Sequence, residues 1–174
     1  MKSHIISFNK EQAGYTMIEL MAALVITGLI GLGATVASSQ TLNQTSKNTD
    51  YTTANRNTMN AIHWISRDAM MAQTVDGYDD FPQTGNLSLS WVEWDNTTHT
   101  ANYSLVDSKL MRIYSDGGQV RETLIAEYIN RDANSTYSSS DNGVLTVTIT
   151  SSVGEDARVV DVKRVREIAL RPKL

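Results

Sequence analysis

Cysteine is absent from this chain of 174 residues. Its absence excludes a disulfide framework, a thiolate zinc site and a cysteine nucleophile, and leaves the redox compartment open. Proline occurs only twice, at Pro82 and Pro172, so long helices and central strands are both permitted. Basic residues are outnumbered: 15 Lys and Arg stand against 19 Asp and Glu, which does not suggest a general nucleic-acid binder. Recognisable catalytic patterns are missing too. The histidines His4, His63 and His99 form no His-Glu-x-x-His run, and there is no Gly-x-Ser-x-Gly elbow. A Ser-x-x-Lys match from Ser7 to Lys10 lies in the extreme N-terminal segment and reads as chance. The length suggests one soluble domain plus an appendage.

Charge is missing altogether from Leu20 to Ser46. The apolar part, Met17 to Ala37, matches the roughly 20 residues a helix needs to span a bilayer. Lys2 and Lys10, against Glu11, precede it, and Lys47 and Asp50 are the first charges after it. Basic residues favour the cytoplasmic side, so the N-terminus is expected inside and the body outside. A cleaved secretory signal is the rival reading, with Ala34 to Ser39 as a small-x-small site. The long apolar core and the acid near its start, Glu19, speak against it. An acid there is costly, by about 2.5–3.5 kcal/mol near the centre of a membrane helix and less near its end, so it marks a functional site in need of a partner.

Within this span small residues recur every fourth position, at Ala23, Thr27, Gly31, Thr35 and Ser39. They share one helix face on which another helix can approach closely, although glycine and alanine are common in membrane helices in any case. Gly28, Gly31 and Gly33 weaken the helix locally.

The run Ala13-Gly14-Tyr15-Thr16-Met17-Ile18-Glu19-Leu20 resembles the class III signal of type IV prepilins and type II secretion pseudopilins. The resemblance implies that a prepilin peptidase cuts after Gly14 on the cytoplasmic side and leaves the apolar helix attached. Tyr15 then becomes the mature N-terminus and is N-methylated. Glu19 matches the family's characteristic acid, which pairs with the N-terminal amine of a neighbouring subunit. Pairing two poorly solvated charges offsets the cost of each. The amine of the same chain, four residues away on the same helix face, is an alternative partner. Tyr15 stands where phenylalanine is usual. Val36 stands where many major pilins have a kinking proline, which argues against a major pilin.

The polar stretch Ser38 to Asn60 lacks proline and glycine. Helical spacing continues through Tyr51, Ala54, Thr58, Ile62, Ile65, Ala69 and Ala72, widened by Met59, and predicts one helix over 15–73 that packs this stripe on a head. Asp76-Gly77 ends it. From Leu87 the period changes to two. Strands are expected at Leu87 to Trp91 with Val92 to Trp94, Asn102 to Val106, Lys109 to Tyr114, Val120 to Ile129, Gly143 to Thr150 and Arg158 to Leu170. Asp107-Ser108 and Asp116-Gly117-Gly118 are turn signals, and Asn130 to Asn142 reads as a polar loop. Tyr103-Ser104-Leu105, Lys109-Leu110-Met111-Arg112, the strand led by Gly143 and Leu170-Arg171 are similar to W-type minor pilins and J-type minor pseudopilins.

Three further groups were candidates for binding. Asp76, Asp79 and Asp80 are hard oxygen ligands on a glycine-containing loop, but their spacing is not that of an EF-hand, and solvated acids are the plainer reading over calcium. Lys163, Arg164, Arg166, Arg171 and Lys173 could meet phosphates, but Asp161 and Glu167 interrupt them. Trp91, Trp94 and Tyr103 could form a docking surface, though aromatics on alternating positions usually face a core.

The expected fold is α+β, a long N-terminal helix packed on an antiparallel sheet. Residues 1–14 are the leader, 15–37 the transmembrane and filament-core helix, 38–73 its extramembrane half and 74–174 the head. The expected role is a minor pilin or pseudopilin, not an enzyme, that helps initiate or cap a filament. The alternative is an adhesive or DNA-binding minor pilin. Expected partners are prepilin peptidase, other pilins or pseudopilins and the bilayer, with nucleic acid less supported and no cofactor implied.

Overall fold

A computed structural model describes residues 14–132, 134–155 and 158–172. The leader before Gly14, with His4 and the Ser7 to Lys10 match, lies outside the described residues, as does Lys173. The chain divides into a first unit reaching Gln44 and a second from Thr45 onward.

One helix, α1, runs Met17–Met71, two residues shorter at each end than the expected 15–73. In the first unit it is exposed on every side.

In the second unit, α1 buries Ala54, Thr58, Ala61, Ile65, Ser66, Asp68 and Ala69, and Ala72 follows just past its end. Steps alternating between four and three residues keep these on one face. The expected stripe drifted off this line at its edges: Tyr51 and Met59 are exposed, and Ile62 is half-buried. Two successive four-residue steps, from Ala54 through Thr58 to Ile62, rotate away from the sheet, and Ala61 takes the central position instead.

The head contains two antiparallel sheets where one was expected. The first is a five-stranded meander in sequence order: β1 Thr74–Asp76, β2 Leu87–Val92, β3 Thr98–Val106, β4 Lys109–Ser115 and β5 Val120–Ala126. The second has β7 Val144–Val153 between β6 Tyr137–Asp141 and β8 Val160–Ala169. A bridge from Ile129 to Ser151 connects them, flanked by the Asn130 amide on the Thr150 carbonyl at 2.8 Å.

Two strands were missed. β1 is only three residues long, and its Thr74 hydroxyl meets that of Ser90 on β2. β6 lies inside the expected polar loop because Tyr137-Ser-Ser-Ser-Asp141 has one apolar residue. Its buried position is a serine: Ser138 pairs with Val147 and donates to the Tyr78 carbonyl at 2.7 Å. Asn142 and Gly143, with φ of 48° and 77°, join β6 to β7. Asn-Gly is the strongest short hairpin signal, and the expected boundary split it between a polar loop ending at Asn142 and a strand starting at Gly143. The other differences are at strand ends. β2 stops at Val92, so Trp94 sits in a turn and is 94% exposed, and β5 stops at Ala126.

Alternation then builds the core. Leu87, Leu89 and Trp91 of β2, Ala101, Tyr103 and Leu105 of β3 and Leu110 of β4 meet Ala61, Ile65 and Ala69 of α1. Leu145, Val147, Ile149 and Ile168 of the second sheet join the same cluster. Fully burying one such aliphatic side chain stabilises by about 1.5–3 kcal/mol.

Candidate assembly segment

Gly14, Tyr15 and Thr16 precede α1 without regular structure. Thr16 caps the helix: the Glu19 amide donates to Thr16 Oγ1 at 3.3 Å and to its carbonyl at 3.1 Å, and the Leu20 amide reaches the same carbonyl at 3.2 Å. Thr16-x-x-Glu19 is the spacing of a capping box. Glu19 occupies the first helical turn, where a carboxylate meets the positive end of the helix dipole. An ammonium created at Tyr15 would stand at that same positive end, so Glu19 is also the nearest compensation for it. The Gly14–Tyr15 bond lies just outside this cap. A Cβ on Gly14 would meet nothing within 4 Å, and Tyr15 is 85% exposed.

Further along, Thr27 Oγ1 donates to the Ala23 carbonyl at 2.8 Å, and Thr35 Oγ1 to the Gly31 carbonyl at 2.9 Å. The small-residue row at Ala23, Thr27, Gly31 and Thr35 therefore satisfies its own hydroxyls. In hydrocarbon this matters, since an unpaired polar group there costs several kcal/mol.

Residues 9–35 match the family model described as the prokaryotic N-terminal methylation motif. The chain carries a prepilin-type signal. No curated protein and no solved structure matches the chain. The motif supports a protein of the type IV pilin and pseudopilin class and points to a structural role, and among the described residues α1 is the one helix long and apolar enough to cross a membrane. It also implies processing by a prepilin peptidase and assembly with other pilins.

The structure gathers the motif's residues at one helix start and places the remaining candidates apart from it, in the head. Asp76 ends β1, Asp79 and Asp80 follow on the loop to β2, all three are exposed, and among the described residues no group of three His, Cys, Asp or Glu is placed to hold a metal. Trp91 and Tyr103 are core residues, while Trp94 is exposed. His63 is exposed on α1. His99 is buried against both Trp91 and Tyr114, with Nδ1 2.7 Å from the Tyr114 hydroxyl.

One head cluster escaped the sequence reading. Asp68 of α1 is fully buried, and its Oδ2 accepts from Tyr103 Oη and Arg112 Nε, each at 2.6 Å. Burial, followed by the Asp68 charge, pushes the Tyr103 hydroxyl well above its ordinary pKa. For Arg112, burial favours the neutral form, but the Asp68 hydrogen bond and charge together outweigh it and raise the pKa. The guanidinium of Arg112 also lies 4.6 Å over the Tyr114 ring and 5.2 Å over Trp64. The signal was present: Asp68 continues the buried steps from Ala61 and Ile65, and Arg112 follows Leu110 by two on an alternating strand.

Proposed function

We propose that this chain is a minor pilin or pseudopilin, cut after Gly14 and displayed as a non-enzymatic subunit of a membrane-anchored helical filament. The observation that carries the reading is a coincidence of positions. The methylation motif over 9–35 coincides with a helix start capped at Thr16, an acid in the first turn and a following span that buries nothing. Tyr15 becomes the N-methylated terminus. Glu19 pairs with the Tyr15 amine of a neighbouring subunit, and the row Ala23, Thr27, Gly31 and Thr35 is the face on which neighbouring helices close. Before assembly the chain sits in the cytoplasmic membrane with its head outside. Val36 in place of a helix-kinking proline and the J- and W-like head patterns favour a minor subunit that initiates or caps the filament.

Mass spectrometry of the mature protein tests the reading. A methylated N-terminus at Tyr15 is expected, and a chain beginning at Met1 or near Ser38 would refute it.

A further inference from the structure

Strand β8 has an unusual inward row. Positions 162, 164, 166 and 168 share one face, and its ends, Val162 and Ile168, are buried as core residues. Between them stand Arg164 and Arg166, both exposed. Their register partners on β7, Ile149 and Val147, are fully buried, so the arginine stems border the core and their charged heads extend beyond it. Asp161 and Glu167, which break up the basic run in sequence, fall on the opposite face of the strand.

Opposite these arginines lies α1. Together they form a groove of about 330 Å³ lined by Met59, Ile62, His63, Ser66, Arg67 and Met70 from the helix and by Arg164 and Arg166 from β8. Met59 and Met70 are 53% and 57% exposed. Ser66 is only 7% exposed, and its enclosed hydroxyl has no hydrogen-bond partner among the described residues. Arg164 Nη2 is held by a neutral group, Asn55 Oδ1, at 2.7 Å, and among the described residues no carboxylate forms an ion pair with it. Arg67 lies 3.6 Å from buried Asp68 and stacks on Trp64 at 4.1 Å. The groove is thus apolar along its floor, cationic along its rim and free of acidic lining residues.

The chain carries the opposite surface as well. There is no Lys or Arg between Arg67 and Lys109, and Asp76 at the end of β1 and the following loop with Asp79 and Asp80 fall in that stretch. All three acids are exposed. The loop is nevertheless tied to the head. Phe81 is buried beneath it, Ser138 Oγ donates to the Tyr78 carbonyl at 2.7 Å, and the Thr84 and Gly85 amides close on the Asp80 carbonyl at 3.2 and 3.1 Å. Among the described residues no ion pair joins this loop to Arg67, Arg164 or Arg166.

We infer that the groove between α1 and β8 seats the acidic loop Asp76 to Asp80 of a second copy of this chain. Carboxylates on the arginine rim supply the charge complementarity. Donor loop and acceptor groove share no residue, so the contact is head-to-tail and leaves one of each surface free at the ends of any pair. The inference rests on the filament reading and names one contact within it.

The cysteine-free chain makes the test direct. Full-length Arg166→Cys and Asp79→Cys versions are co-expressed in the host membrane and treated with a short bifunctional maleimide. Severalfold more cross-linked dimer is expected than from Asp79→Cys with Thr123→Cys on β5. Adding Arg164→Glu, or the milder Arg164→Gln, to the first version should lower the yield, and Asp80→Lys on the second should restore the Arg164→Glu loss. A yield equal to the Thr123 control, or one insensitive to position 164, overturns the contact. So does cross-linking of Arg166→Cys only to a different protein. The N-terminus is read in the same samples. Tyr15 without excess dimer overturns the groove contact alone, whereas Met1 overturns the filament reading whether or not the dimer forms.

Discussion

Replacing Asp68 by Leu removes the one acceptor that two buried donors share. Arg112, whose side chain is 8% exposed, and the fully buried Tyr103 each place their bond to it at 2.6 Å. Breaking a buried ion pair by deleting one partner costs about 3–5 kcal/mol, since the other charge stays in place without solvent. The stranded Tyr103 hydroxyl works in the same direction, within the about 1–3 kcal/mol typical of an unsatisfied buried group. Against a usual domain stability of about 5–15 kcal/mol, the head becomes marginal. Arg112→Met should do comparable damage by leaving the carboxylate alone. The double variant Asp68→Leu with Arg112→Met removes both charges, and replacing a whole pair by apolar groups is often close to neutral. Urea unfolding of the full chain in detergent, followed by tryptophan fluorescence, reads all three. Low midpoints are expected for both single variants, with most of the loss recovered in the double, a coupling of about 2 kcal/mol or more. Single losses below about 1 kcal/mol, or a double loss equal to their sum, would refute the pairing as the organiser of this core.

Tyr103 also gives the head an alkaline limit. Its folded pKa lies above the unfolded value of 10.0, so stability is fully present below that pH and falls above it as the unfolded chain alone releases the proton. Urea midpoints on either side of that value should show the fall, and Tyr103→Phe should flatten it. Glu19→Ala should leave cleavage at Gly14 intact and abolish recovery of the chain in sheared filaments; normal incorporation would contradict the charge pair. Thr16→Ala should loosen the first turn by about 1 kcal/mol, read as faster amide exchange at Glu19 and Leu20. Gly77→Ala should destabilise the head by about 1 kcal/mol or more, because φ there is 71° and an added Cβ would collide with the Asn86 carbonyl.

The apolar span, the acid within it and the period-two strands from Leu87 onward were legible because each rests on a periodicity that one chain displays by itself. What sequence reading missed depends on partners distant in sequence. β6 buries Ser138, whose hydroxyl is satisfied only by the distant Tyr78 carbonyl. Asp68 looks like a surface acid until Arg112 and Tyr103 are seen to converge on it. Charge order along β8 misled differently. Read linearly, Asp161 and Glu167 dilute the basic run, but the strand sends them to the other face and leaves Arg164 and Arg166 together. The motif residues Gly14, Tyr15 and Glu19 were visible as a pattern, and the structure adds the cap at Thr16 that fixes where the helix begins.

The back-bonded threonines of the apolar span have a consequence for extraction. A helix that held its neighbours through side-chain hydrogen bonds would have to break them to leave, and would meet lipid with bare hydroxyls. Here Thr27 and Thr35 keep their bonds within the helix whatever lies outside. Exchanging acyl chains for protein neighbours therefore alters packing and leaves hydrogen bonding unchanged. For these two hydroxyls a change of surroundings carries no hydrogen-bond cost in either direction.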